Sequence, residues 1–191
     1  MSTNYVDRVV SMLGPSGNSH ADLAAWQTLE NELGVELPGE YKTLIDLYGP
    51  LLLNQHLFIK HPATERRNLG AWIQSTVTAF RRSRLQGPEG EIRFGGPDGL
   101  VPLSSTDRGE YVFGVHDRNG EGWTLMACDG DEPDFFEYHM GYAEWLYRYL
   151  IGESMFGPET EVFYPGPVVM ESMPVSETDE MRVLHGPDRG M

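Results

Sequence analysis

Cysteine is nearly absent: Cys128 stands alone in 191 residues. That excludes an intrachain disulfide and a thiolate metal cluster, and favours a small, partly buried filler in a reducing compartment. Long apolar runs are missing too. No stretch approaches the ~18 apolar residues of a membrane span, and the opening MSTNYVDRVV lacks the basic-then-apolar order of a secretion signal. The expectation is a cytoplasmic protein with no membrane partner. Positive charge is also scarce, with 14 Lys and Arg against 29 Asp and Glu, a formal net charge of −15. A surface of that sign repels phosphates, so nucleic acid is a poor partner and a cationic protein a better one.

The catalytic signatures that sequence can carry are absent as well. There is no G-x-S-x-G elbow, no phosphate-binding G-x-x-x-x-G-K loop, no G-x-G-x-x-G after a strand and no H-E-x-x-H helix. The six histidines, His20, His56, His61, His116, His139 and His185, are scattered without ligand spacing. The run DGDEPD, residues 129–134, offers hard oxygen donors suited to calcium. It lacks the glycine and distant glutamate of a calcium loop, so a solvated hairpin loop is the better reading. Neither metal nor cofactor is expected, and an enzyme is not.

What is present is a clear order of elements. Val6, Val9, Val10 and Leu13 allow one short helix before GPSGNS. Ser19 with Asp22 approximates a capping box, and Leu23, Trp26, Leu29 and Leu33 recur on one helical face until Gly34 stops them. Pro38 then sits where proline suits the first position of a new helix, with Tyr41, Leu44, Ile45 and Tyr48 inward and Gly49 at its end. Two short amphipathic helices need a surface to lie on. HLFIK, residues 56–60, is the first expected strand, and Leu69, Trp72, Ile73, Thr76, Val77 and Phe80 share a face of a third helix.

Residues 92–138 read as an antiparallel meander of IRF, GLVPL, EYVFGVH, GWTLMAC and DFFEY, joined by turn-rich segments. A last helix carries Tyr142, Trp145, Leu146 and Tyr149. The four tryptophans all fall on apolar faces or in strands, where core packing explains them. The fold class is therefore α+β, a mixed and largely antiparallel sheet of about five to six strands with helices packed against it. The expected organisation is an N-terminal extension over 1–19, one domain over 20–152 and an acidic Pro/Gly/Met-containing tail over 153–191.

Charge is unevenly placed. From Ser104 to Met140 nine acids face Arg108 and Arg118, whereas from Lys60 to Arg93 seven bases face three acids. The hairpin half is anionic and the third-helix region cationic. Asp107, Glu110, Asp117, Asp129, Asp131, Glu132 and Asp134 are the candidate partner-binding charges, with neighbouring aromatics as anchors.

WQTLENELGVELPGEYKTLIDLYG resembles the amino-terminal signature of the SUKH superfamily, matching it at Trp26, Glu30, Leu33, Gly34, Leu37, Pro38, Tyr41 and Gly49. GLVPLSSTDRGEYVFGVHDRNGEGWTLMACDG is similar to the family's later block, at Pro102, Thr106, Gly109 and Trp123, and YAEWLYRYLIGE to its closing helix. The chain departs from the family where Leu103 and Ser104, rather than a bulky aromatic, follow Pro102. The resemblance implies an α+β fold without a catalytic centre. It also implies an immunity protein that neutralises a cognate toxin of a polymorphic or contact-dependent system, often a nuclease, or else a regulatory interaction module.

Overall fold

The structure, a computed structural model, describes residues 4–17, 20–87, 90–116, 122–129, 134–161 and 166–189. The chain forms helices α1 (Tyr5–Leu13), α2 (Leu23–Leu33) and α3 (Gly39–Tyr48), then strands β1 (Leu51–Leu53) and β2 (Leu57–Ile59). Helix α4 (Leu69–Ser83) and the two-residue strands β3 (Gln86–Gly87) and β4 (Gly90–Glu91) follow. The meander is β5 (Val101–Thr106), β6 (Tyr111–His116), β7 (Trp123–Cys128) and β8 (Phe135–Tyr138). Helix α5 (Tyr142–Leu150) leads to β9 (Val169–Ser172) and β10 (Val183–His185). Eight strands make one sheet in the order β10-β9-β1-β2-β5-β6-β7-β8, each neighbouring pair antiparallel. The class is α+β, with more strands than the sequence suggests.

The double stop in the amino-terminal block has a physical reason. Gly34, at φ 70°, turns the chain left-handed at the end of α2. The Glu30 carboxylate of α2 can then accept the Leu37 N–H at 2.9 Å and the Lys42 ammonium at 2.7 Å, fixing the extended link and the start of α3 together. Asp22 itself caps α2, accepting the Ala24 and Ala25 N–H groups. Pro38 stands at the N-cap of α3, one position earlier than expected.

Helices cover both faces of the sheet. The Ser104 hydroxyl meets the Tyr142 hydroxyl of α5 at 2.5 Å, and α1 and α3 pack beside α5 on that side. Tyr111 and Phe113 point the other way, because neighbouring strand residues alternate, and they pack against Phe80 of α4 with ring centroids 5.0 and 5.2 Å apart. The core runs between these layers through Tyr41, Trp145, Phe113 and Phe94, all buried.

Both ends of the chain depart from expectation. The segment 1–19 is no mere extension: Val9 and Leu13 of α1 are buried against α3 and α5. The segment expected as a tail supplies two strands, β9 pairing Met170 with Leu53 of β1, and β10 pairing with β9. Strands of four and three residues set among prolines carry too little alternation to be read from pattern. The all-apolar β1 hides for the same reason. IRF forms no strand; Phe94 makes only a parallel bridge to Leu100.

A buried histidine gives one pH prediction. His61 is fully buried; its Nδ1 accepts the Ala63 N–H at 3.0 Å, so Nε2 carries the proton of the neutral ring and donates to Asp46 at 3.1 Å. Asp46 also accepts from Trp26 Nε1 at 2.8 Å, which ties α2 to α3. Burial lowers the His61 pKa, and Asp46 only partly offsets it. A second proton would also set a donor against the Ala63 N–H. The folded chain therefore binds that proton less readily than the unfolded chain does. Stability is fully present above the unfolded histidine value of about 6.5 and falls as the pH drops below it. Urea titrations at pH 8 and pH 5.5 are expected to show a loss that shrinks in His61→Gln, and an equal loss in the variant would refute the assignment.

Candidate functional site

The meander brings distant loops together. Because Tyr111 pairs with both Ser105 and Cys128, and Cys128 with Phe135, the β5–β6 turn and the β7–β8 connection leave the sheet at one end. The β1–β2 turn joins them there, the Asp107 N–H donating to the His56 carbonyl at 2.9 Å. In that turn Asn54 and Gln55 both have positive φ, 48° and 57°, the twist of a tight hairpin. The β6–β7 connection leaves from the other end, beyond the His116–Trp123 pair.

The expected site residues divide accordingly. Asp107, Asp129 and Asp134 are exposed at the gathered end. Asp117, Asp131 and Glu132 lie outside the described residues, and the strands flanking Asp117 close at the opposite end. Glu110 is a correction: it is 7% exposed and turns inward, so it cannot act as a rim charge. Its carboxylate accepts the Thr106 hydroxyl at 2.5 Å, while Thr106 Oγ1 accepts the Glu110 and Arg108 N–H groups. Glu110 thus locks the β5–β6 turn.

His56 stands behind the turn, 1% exposed. Its Nδ1 lies 2.6 Å from the Tyr149 hydroxyl, and its ring stacks on Tyr149 at 5.9 Å. Its Nε2 faces Glu110 at 3.3 Å and Asp107 at 3.6 Å, off the line of a good hydrogen bond. Burial opposes the charge on Glu110, but His56 and Thr106 outweigh it and hold the carboxyl below its usual range. This cluster couples β1–β2, β5–β6 and α5 from inside. Cys128 is equally enclosed, burial pushing its thiol up to about 12. Among the described residues no group of three or more His, Cys, Asp or Glu is placed to hold a metal ion, and no helix is long and apolar enough to cross a membrane.

Half-exposed aromatics beside this end, which sequence leaves unnamed, lie on β8. Phe135, Phe136 and Tyr138 are half-buried, and Glu137 is exposed beside them. A shallow hollow of about 440 Å³ follows the strand, walled by Ser154, Gly157 and Pro158. The charge pattern of DFFEY, aromatics between acids, was the available signal; its place at the sheet edge was not. A larger hollow of about 740 Å³ lies across the molecule, between the chain after α1, the end of α3 and the β9–β10 hairpin.

No curated protein and no solved structure matches the chain. The family model SUKH_6, described as SMI1-KNR4 cell-wall, matches residues 24–146, a span that runs from α2 into α5 and contains the meander and its acidic turns. With more than half its length in that match, the chain belongs to the SUKH superfamily.

Proposed function

We propose that this chain is an immunity protein: it binds a cognate toxin domain carrying a basic surface, such as a nuclease, and neutralises it by covering that surface. The observation that carries the reading is the gathering of Asp107, Asp129 and Asp134 at one end of the sheet, beside half-buried aromatics. Acids so placed speed encounter with a cationic partner and occupy the region meant for phosphates. An interface of ordinary size, about 800 Å² per partner, fits on that end. The resemblance to SUKH immunity proteins supports the same chemistry of binding without turnover.

The test is co-expression with the toxin domain encoded beside the gene. Survival of the host together with a measurable complex is expected. Continued killing with no complex would overturn the reading. The family description, which names a SMI1-KNR4 cell-wall group, favours a second reading, a regulatory module for an endogenous protein. A gene with no toxin neighbour, and a host protein held by the same acidic end, would distinguish it.

A further inference from the structure

Strand β8 ends the sheet, and among the described residues no strand pairs with its outer edge. Such an edge presents unsatisfied N–H and C=O groups, which proteins usually guard with lysine, proline, a bulge or a covering loop. β8 is Phe-Phe-Glu-Tyr, and its register with β7 is unbroken over four pairs. Neither lysine, proline nor bulge protects it, and the chain over 154–158 holds the Tyr138 hydroxyl, through the Gly157 N–H at 3.2 Å, and leaves a hollow between itself and the strand.

The hollow beside β8 touches Phe135 and Glu137 as well as Phe136 and Tyr138. Alternate residues point to opposite faces of a sheet, so a hollow that meets all four runs along the edge rather than over one face. Its wall comes close because of Gly157, at φ 115°, where a Cβ would stand 2.4 Å from the Phe136 ring. Charge is of one sign: Asp134, just before the strand, and Glu137 on it are exposed, and Glu159 and Glu161 follow the Pro158 wall.

We propose that β8 receives an extended, cationic segment of another protein as an added strand. Backbone groups of the segment pair with the open edge, its Lys or Arg residues lie on the Glu137 face, the alternate side chains rest on Phe136 and Tyr138, and Asp134 adds its charge at the start of the strand. A second copy of this chain fits poorly. Pairing β8 with β8 would bring the same acids together across one strand spacing of about 4.8 Å. The proposal rests on the acidic end being the partner's landing face, and it names how the partner is held.

The probe is an end-blocked peptide, Lys-Val-Lys-Val-Lys-Val, added to the full chain, with amide hydrogen exchange read residue by residue. Alternate β8 amides are expected to slow at least tenfold. A Glu-Val peptide of the same length should not slow them, nor should Lys-Val-Pro-Val-Lys-Val, in which proline removes a donor. The surface variant Asp134→Lys/Glu137→Lys, which leaves the core untouched, should lose the effect. Binding without protection of β8, protection along β10 instead, or a dimer that buries β8 would each overturn the proposal. A neutralised toxin whose complex leaves β8 exchange unchanged would sink this mode of recognition and spare the proposed function. Protection by the peptide with a toxin that still kills would do the reverse.

Discussion

Trp145→Ala is expected to destabilise the chain by about 3–5 kcal/mol, the usual cost of truncating a large buried aromatic, and to lower Tm by about 6–20 °C for a domain of this size. Trp145 is fully buried at the centre of α5. It stacks on Tyr149 at 5.6 Å and 6°, lies near parallel to Tyr142 at 6.0 Å, and meets the edge of Phe156 at 5.4 Å. Its Nε1 donates to the Met155 carbonyl at 3.3 Å, which draws the chain after α5 back onto the core. Alanine would leave a cavity among rings that cannot close over it, because the two tyrosines are each held by another bond. Tyr142 is fixed by Ser104 and Tyr149 by His56. Trp145→Phe should cost less than half as much. Thermal unfolding followed by circular dichroism checks both, and a Tm for Trp145→Ala within about 2 °C of wild type would show that the aromatic cluster does not hold the helix.

That cluster also shows which parts of the molecule are legible in sequence. Helical spacing placed Tyr142, Trp145 and Tyr149 on one face, and alternation with turn residues located β5 to β8, because these patterns are local. His56 was not legible. Its partners Tyr149 and Glu110 lie 93 and 54 positions away, and only folding shows that a histidine beside a hairpin tip is core. Glu110 failed for a related reason. A turn with Asp107 and Arg108 reads as a solvated loop, yet the residue that re-enters the strand points inward, and Thr106 was waiting to bind it. Of the two strands near the carboxyl end, β9 is illegible because its pairing with β1 spans most of the chain, and β10 because it pairs only with β9, over three residues.

The acid rim makes the remaining prediction. Asp107 from the β5–β6 turn and Asp129 and Asp134 from the β7–β8 connection share one end of the sheet, so their fields add over a face while each side chain stays solvated. Charges of that kind act mainly on the rate of encounter. Replacing all three by lysine is expected to slow association with the toxin domain by tenfold to a thousandfold at low salt, with a smaller change in dissociation. The difference should shrink as salt rises, because the screening length falls from about 10 Å at 0.1 M to 3 Å at 1 M. Replacement by asparagine should give an intermediate loss, since it removes the attraction without adding repulsion. Stopped-flow association at several ionic strengths separates this from damage to the interface, which would appear in dissociation and persist in salt. Glu110→Gln supplies the internal contrast: its carboxylate is buried in the turn, so it should lower Tm more than it lowers the encounter rate. Equal association rates for the wild type and the triple lysine variant at low salt would remove electrostatic steering, and with it the reason for a protein this acidic to carry its charge on that face.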